Sequence, residues 1–534
     1  MKRYQKILLG LLAGTVLFIG GIQIYFSFFL EDDLQTTLTT RFDRATNSAY
    51  TLDIGDFELE ILGRQLTVTD IRMSTKQDSV DHKLTATLDA LNVRGMGFLK
   101  LLISQQLSLQ EVELVNPSIN FTAAKQQSST NRQLKLTDYS KRLSEITLQV
   151  LENVKIPHLA AQGLSVTYTR PELSADTLLS FKDSYIRLQD ITIDSTLIKD
   201  KRVLPADNIT TVFRDIHLKT ANELYELSAD KLQFNSDTQQ LNIRSIKFMP
   251  QLSKEAFAHK VGHETDRITM TIDEINGREI NTSNLNRAEK MEAQQISVQK
   301  PDIDIYRDKR PPFPPNNRPP LPRQMIQNIP FPVDIDTVSI AEGNIRYSER
   351  VPKADKAGYV TFADLKAKIY PLSNLNQQQS IILTAQTNIM DQAKLQAHFT
   401  FPANTSNQHI KGTLQSMDMT SLNKALVPMA FVRIDEGEIM DMDFEINLNK
   451  KQSKGTVMLR YRDLKVSLLD KETSEENFGD KLKSLLANTF AVKSSNTGDD
   501  PRTGTINFER DPQKSVFNYW WKSLLSGLKS SLGL

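Results

Sequence analysis

Two apolar residues two apart, a skip of three, then two more: this spacing recurs in seven stretches of the chain. They are Leu66-Val68-Ile71-Met73, Ala86-Leu88-Leu91-Val93, Leu107-Leu109-Val112-Leu114, Ile186-Leu188-Ile191-Ile193, Leu241-Ile243-Ile246-Phe248, Val360-Phe362-Leu365-Ala367 and Leu459-Tyr461-Leu464-Val466. Alternation with a period of two marks a strand with one apolar face. A skip of three moves that alternation by one residue, so the second pair would turn to the opposite face unless something corrects it. A β-bulge is the simplest correction, because its extra residue bends the strand and increases its twist. Repeated from strand to strand, the spacing predicts a mainly β chain with its apolar side held on the concave face of a curved sheet. Leu66, Val68, Leu88, Leu109, Leu188, Ile243, Val360, Phe362, Leu459 and Tyr461 are the expected lining of that face.

Helical spacing is confined to a few places. Ile7 to Leu30 carries no charge, follows Lys2, Arg3 and Lys6, and precedes Glu31, Asp32 and Asp33. At ~1.5 Å per residue this run makes a helix of ~36 Å, enough to cross a ~30 Å hydrocarbon core. The basic flank should stay in the cytoplasm while the acidic flank crosses. A cleaved signal peptide is the competing reading, but the run is long for one, and Tyr25 to Phe29 lacks a small-residue cleavage site. An uncleaved anchor over 1–30 is therefore expected. Further helices are predicted at 31–47, near 95–102, over 136–154, near 421–426, over 475–490 and over 515–532. Strand signals fill most of the rest.

The proline-dense segment Lys309 to Pro322 forces an extended, ladder-free conformation. It could dock on a proline-binding partner, but a stiff connector has the same composition and is the preferred reading. The expected division is an anchor at 1–30, a first sheet part at 31–306, the connector at 307–332, a second sheet part at 333–470 and closing helices at 471–534.

Composition narrows the function. Sixty-five basic residues are interleaved with 64 acidic ones for a net charge of +1, with no basic stripe that would suit nucleic acid. There is no cysteine, hence no disulfide and no thiolate metal site. No phosphate loop, nucleophile elbow or zinc-protease motif is present, so neither an enzyme nor a cofactor is expected. Glu255, His259, His263 and Glu264 place two histidines one helical turn apart. The segment lies between strands and reads as an exposed polar loop. Asp435, Glu436, Glu438, Asp441 and Asp443 read as the solvent face of a hairpin around Gly437.

Near the C-terminus, Phe517, Trp520, Trp521, Leu524 and Leu528 fall at three- and four-residue spacings. Asn518, Lys522, Ser523, Ser526, Lys529 and Ser530 lie opposite them. Aromatic residues beside lysines suit a membrane interface. The same helix could instead be a lid on an unpaired sheet edge. Both readings fit.

The layout resembles the AsmA-like proteins of the diderm bacterial envelope, relatives of TamB and of the chorein-type bridge-like lipid transfer proteins. The resemblance rests on the anchor followed by FFLEDDLQTTLTTRF, and on the segment from Tyr50 to Met73 with its apolar-x-apolar-x-Asp-apolar cadence. It extends to the stretches beginning at Gly343, Gly358, Gly412 and Gly455 and to the closing NYWWKSLLSGLKSSLGL. It implies a taco-shaped, antiparallel-type repeating β-groove with a greasy interior. It also implies an inner-membrane anchor, a periplasmic bulk, and a role in moving phospholipids toward the outer membrane or in building that membrane. The C-terminus would be the part to reach the outer membrane. About 25 strands at ~4.8 Å would make such a groove on the order of 120 Å long. Each acyl CH₂ moved into it from water gains ~0.8 kcal/mol. The alternative is an anchored scaffold for other envelope proteins, with a filled core and no lipid conduction.

Overall fold

The computed structural model describes residues 39–60, 64–76, 82–97, 109–123, 154–169, 177–193, 206–314, 316–469 and 493–533, apart from positions 41, 45, 47, 221 and 288. The chain is mainly β, and its ladders are predominantly antiparallel. It divides into two compact units, one of residues 1–246 with 278–292, the other of 247–277 with 293–534. The expected anchor at 1–30 and the helices over 136–153 and 475–490 lie outside the described residues. Val154, expected to end a helix, instead opens a strand.

The first unit contains β1 (Tyr50–Asp53), β2 (Phe57–Glu60), β3 (Gln65–Thr75), β4 (His82–Arg94), β5 (Glu111–Val115), β6 (Ser118–Ala123), β7 (Val154–Thr169), β8 (Thr177–Ile193), β9 (Asn208–Lys219) and β10 (Tyr225–Asn235). β1 and β2 share β3 as partner, and β4 to β10 follow in spatial order. β5 and β6 both pair antiparallel with β4 and parallel with β7. They are one strand interrupted at Asn116-Pro117, because Pro117 has no N–H to give to the ladder.

Two strands, β11 (Gln240–Pro250) and β12 (Asp266–Ile280), contain the division between the units. Between them lies helix α1 (Lys254–Val261). Next come α2 (Thr282–Asn286), β13 (Met291–Gln299) and β14 (Asp302–Asp308). After the proline-dense segment and α3 (Pro322–Gln327), the second unit continues with β15 (Val333–Arg350), β16 (Gly358–Tyr370), β17 (Leu372–Ser373), β18 (Ile381–Ile389), β19 (Ala393–Phe401) and β20 (Gln408–Leu414). It ends with β21 (Met417–Asp418), a 3-10 turn (Met419–Leu422), α4 (Asn423–Ala430), β22 (Val432–Leu448), β23 (Gln452–Leu468), β24 (Thr503–Glu509) and α5 (Val516–Ser531). The antiparallel order runs β15, β16, β18, β19, β20, β22, β23, β24.

β14 and β15 pair in parallel, which requires a crossover of a dozen or more residues. The proline-dense segment supplies it, and the second unit holds it down. Arg510 donates to the Pro319 carbonyl at 3.2 Å and Asn317 to the Gln513 carbonyl at 3.0 Å. Leu321 is buried in the core. The buried Arg323 guanidinium donates to the carbonyls of Gln377, Gln379 and Phe401.

The skip of three has a clear backbone counterpart. In five of the seven stretches the residue just before the third apolar position adopts positive φ: Asp70 (51°), Asp190 (53°), Ser245 (54°), Asp364 (49°) and Asp463 (56°). Asp tolerates the left-handed region better than most non-glycine residues, which explains the Asp in the cadence. Register shifts accompany the skip between β15 and β16, β16 and β18, and β22 and β23. β3 and β4 keep one register, because both strands skip at the same height. That line continues through neighbouring strands. Asn116 (φ 50°) donates to Asp89 at 2.9 Å, and a Cβ on Gly163 (φ 71°) would lie 2.1 Å from the Asn116 side-chain oxygen. In the remaining stretch, Leu109 precedes β5 rather than sitting in it.

Two local expectations are corrected. Residues 254–261 are a helix, not a loop: Ser253 caps its start, Gly262 ends it at φ 75°, and Phe257 is buried. The acidic run around Gly437 is no hairpin, because β22 passes straight through it with bulges. Its carboxylates do face solvent, where Glu436, Glu438 and Asp441 meet Lys465, Arg462 and Arg460 of β23.

Candidate functional site: apolar faces and the terminal helix

The predicted lining residues separate into sealed and half-buried sets. Leu66, Val68, Leu88, Leu109 and Leu188 share one cluster of the first unit with Leu91, Val93 and Ile156, all below one-tenth exposed. Leu459 and Tyr461 are as deeply buried in the second unit. The Tyr461 hydroxyl donates to the Lys493 carbonyl at 2.8 Å, satisfying its polar end. At these seven positions the apolar face is packed interior. Val360, Phe362 and Ile243 are only half-buried, and Val360 borders the second cluster.

The half-buried residues are not isolated. Within the first unit, Leu218 stands opposite both Leu179 and Leu227, Ile216 opposite Ala229, and Phe213 opposite Leu232. All of these except Ala229 are half-buried. The second unit has two comparable rows. Met270, Ile303, Ile345 and Phe362 are in register across β12, β14, β15 and β16, as are Ile268, Ile305, Tyr347 and Val360. Every member of both rows is half-buried.

The next row on that face is charged: Asp266, Arg307 and Glu349. Arg307 takes Asp266 through two hydrogen bonds of 2.7 and 2.6 Å, and Glu264 lies 3.5 Å away. Burial opposes the Arg307 charge, but Asp266 outweighs it and the pKa is raised. Glu349 accepts from Lys309 at 2.6 Å and from the Tyr347 hydroxyl at 2.9 Å. Burial, reinforced by Glu349, pushes the Tyr347 phenol up. Sequence periodicity missed this charged end, since register across three strands, not spacing along one, assembles it.

No metal site forms at the histidine pair. Gly262 ends α1 before His263, whose ring contacts the Glu264 carbonyl at 3.2 Å, and Glu264 is engaged with Arg307. Among the described residues no group of three acidic or histidine side chains could hold a metal ion.

Helix α5 presents several faces. Trp520, Leu524 and Leu528 pack on the second cluster, and the Trp520 indole donates to Gln408 at 2.7 Å. Burial pushes the Tyr519 phenol up to about 12. Phe517 and Trp521 point outward, 68% and 47% exposed. The serines expected to face water cover the sheet edge instead. Ser526 and Ser530 accept from the Asn507 and Thr505 amides of β24 at 3.2 and 3.1 Å. Such amides on an edge strand have no ladder partner of their own. Ser523, Gly527 and Ser531 are buried, and a Cβ on Gly504 would lie 2.0 Å from the Gly527 carbonyl. The sequence did hold the signal, a Ser-Gly-Ser series at four-residue spacing, but aromatic residues dominate the helical pattern.

Among the described residues no helix is long and apolar enough to cross a membrane. No family model and no curated protein matches the chain. Among solved structures, a sex pheromone staph-cAM373 precursor is 9% identical with a TM-score of 0.13, aligned over 63% of this chain and 86% of its own. The central domain of yeast acetyl-CoA carboxylase is 8% identical with a TM-score of 0.10, over 69% and 52% respectively. Likeness at that level carries no weight for fold or function.

Proposed function

We propose that this protein is a membrane-anchored, lipid-handling protein of the bacterial envelope, which assists phospholipid movement between inner and outer membrane or outer-membrane biogenesis. The supporting observation is the set of half-buried apolar rows in register, such as Met270-Ile303-Ile345-Phe362. Contiguous half-buried apolar surface is disfavoured in water unless it is used, and acyl chains match it without requiring any catalytic group. Residues 7–30 would be the inner-membrane anchor, with the bulk of the chain in the periplasm. Phe517 and Trp521 are the outward aromatic pair suited to contact a membrane. The sealed clusters around Leu188 and Tyr461 favour a scaffold role for those parts.

Photo-crosslinking in cells tests the lipid reading. A benzophenone side chain placed at Phe213 or Phe362 should capture phospholipid, whereas one at Thr361, the next residue in the alternating strand, should not. Equal capture at Phe362 and Thr361, or none at any position, would leave the scaffold as the better reading.

A further inference from the structure

The charged end of the second unit's apolar rows includes one cation that no carboxylate contacts among the described residues. Arg307 is held by Asp266, and Lys309 by Glu349. Lys514, in the turn between β24 and α5, has no carboxylate within ion-pair distance among the described residues. Its ammonium sits 3.4 Å from the centroid of the Phe313 ring. Burial lowers its pKa; Glu264 and Asp511 favour its charge from beyond contact, Lys309 and Arg307 oppose it, and the balance stays lowered. The Pro312 carbonyl accepts from the Glu264 amide at 2.9 Å, which fixes Phe313 beside the same row. A partly buried ammonium with no carboxylate in contact is costly, and an anion brought against it relieves that cost.

We infer that Lys514, backed by Arg307 and Lys309, takes the phosphate of a phospholipid whose acyl chains lie along the rows containing Ile305 and Ile303. The inference rests on the lipid reading above and adds to it a site for the polar end. Two observations select an amphipathic lipid over a free anion. The apolar rows lead directly into the charged row. The cation is seated on an aromatic ring, where it is attracted to the face while staying available at its outer side.

The test uses the full-length protein in neutral detergent with two fluorescent probes of identical chains, a phosphatidylglycerol and a diacylglycerol that lacks the phosphate. Wild type should prefer the phospholipid by at least about tenfold, the loss expected when one charge-assisted contact is removed. Lys514→Glu should reduce that preference to within about twofold while leaving diacylglycerol binding unchanged. Lys514→Gln, which keeps the stem, should fall between them and serves if the glutamate variant misfolds by circular dichroism. Equal binding of both probes to wild type, or an unchanged preference in both variants, overturns the site while leaving the lipid reading standing. Absence of binding by either probe overturns both. Glycerol phosphate displacing the phospholipid at equal concentration would show a free-anion site and reject the lipid assignment.

Discussion

β4 and β16 carry the same four-residue apolar spacing and use it differently. In β4, Ala86, Leu88, Leu91 and Val93 are all buried, and three of them belong to the closed cluster with Leu188. In β16, Val360, Phe362 and Leu365 are half-buried, and only Ala367 is buried. The spacing decides which face a side chain takes. Whether that face becomes core or open strip depends on what lies over it, and strand periodicity carries no information about the second layer. Burial within one repeat family therefore separates sealed from open positions better than the repeat does.

The largest effects should come from placing a carboxylate in each kind of region. Leu188→Glu and Leu109→Glu put an unpaired charge into a closed cluster and should cost on the order of 3–5 kcal/mol, unfolding the first unit. Ile243→Glu and Phe362→Glu can reach water and should stay folded, each losing about 1 kcal/mol. Limited proteolysis and thermal melts read the difference. Similar unfolding by all four would mean that the half-buried faces are core as well.

Close backbone approach makes the helix-covered sheet edge sensitive to added volume. Gly504→Val must separate α5 from β24, since even the first carbon would meet the Gly527 carbonyl at 2.0 Å. A loss of about 3 kcal/mol is expected in denaturant melts, with α5 becoming protease-sensitive. A silent Gly504→Val would mean that α5 is not docked on that edge.

The two tryptophans of α5 should separate in the same way as the two strands. Trp520→Ser removes a packed ring 5.0 Å from Phe399 and the bond to Gln408, and should cost about 2–3 kcal/mol. Trp521→Ser should leave the melt within about 0.5 kcal/mol. Combined with Phe517→Ser, it should weaken flotation with anionic vesicles. Unaltered flotation would make α5 solely a lid.

Smaller effects belong to the bulges and the surface ion pairs. Asp364→Val forces a β-branched residue to φ 49° and should cost about 1–2 kcal/mol, while Asp364→Gly should be near neutral. Equal effects would show that the side chain, not its backbone angle, matters there. The Glu445 carboxylate is held below its ordinary 4.5 by hydrogen bonds from His409 and then Lys411. A depressed carboxylate contributes stability above its unfolded value and loses it as pH falls through the folded one. Glu445→Gln should therefore lose a small contribution at neutral pH, flatten the acid-side slope and approach the wild type near pH 3, as differential melts at pH 3 to 7 would report.

From the sequence alone came the β class, the apolar face and the place of most phase shifts. These are local properties: side-chain alternation has a period of two, and at five of the seven skips one residue at positive φ, such as Asp70 or Asp364, absorbs the shift. The helix at 516–531 was legible for the same reason. Tertiary structure decided what no local pattern encodes. It sealed Leu88 and Leu188 but left Phe362 half-buried, because burial depends on segments distant in sequence. It turned the proline-dense segment into the crossover that parallel β14 and β15 require. It also aimed Ser526 and Ser530 at an edge strand, since a hydroxyl goes where an unpaired amide awaits it, and pairing order alone creates that amide.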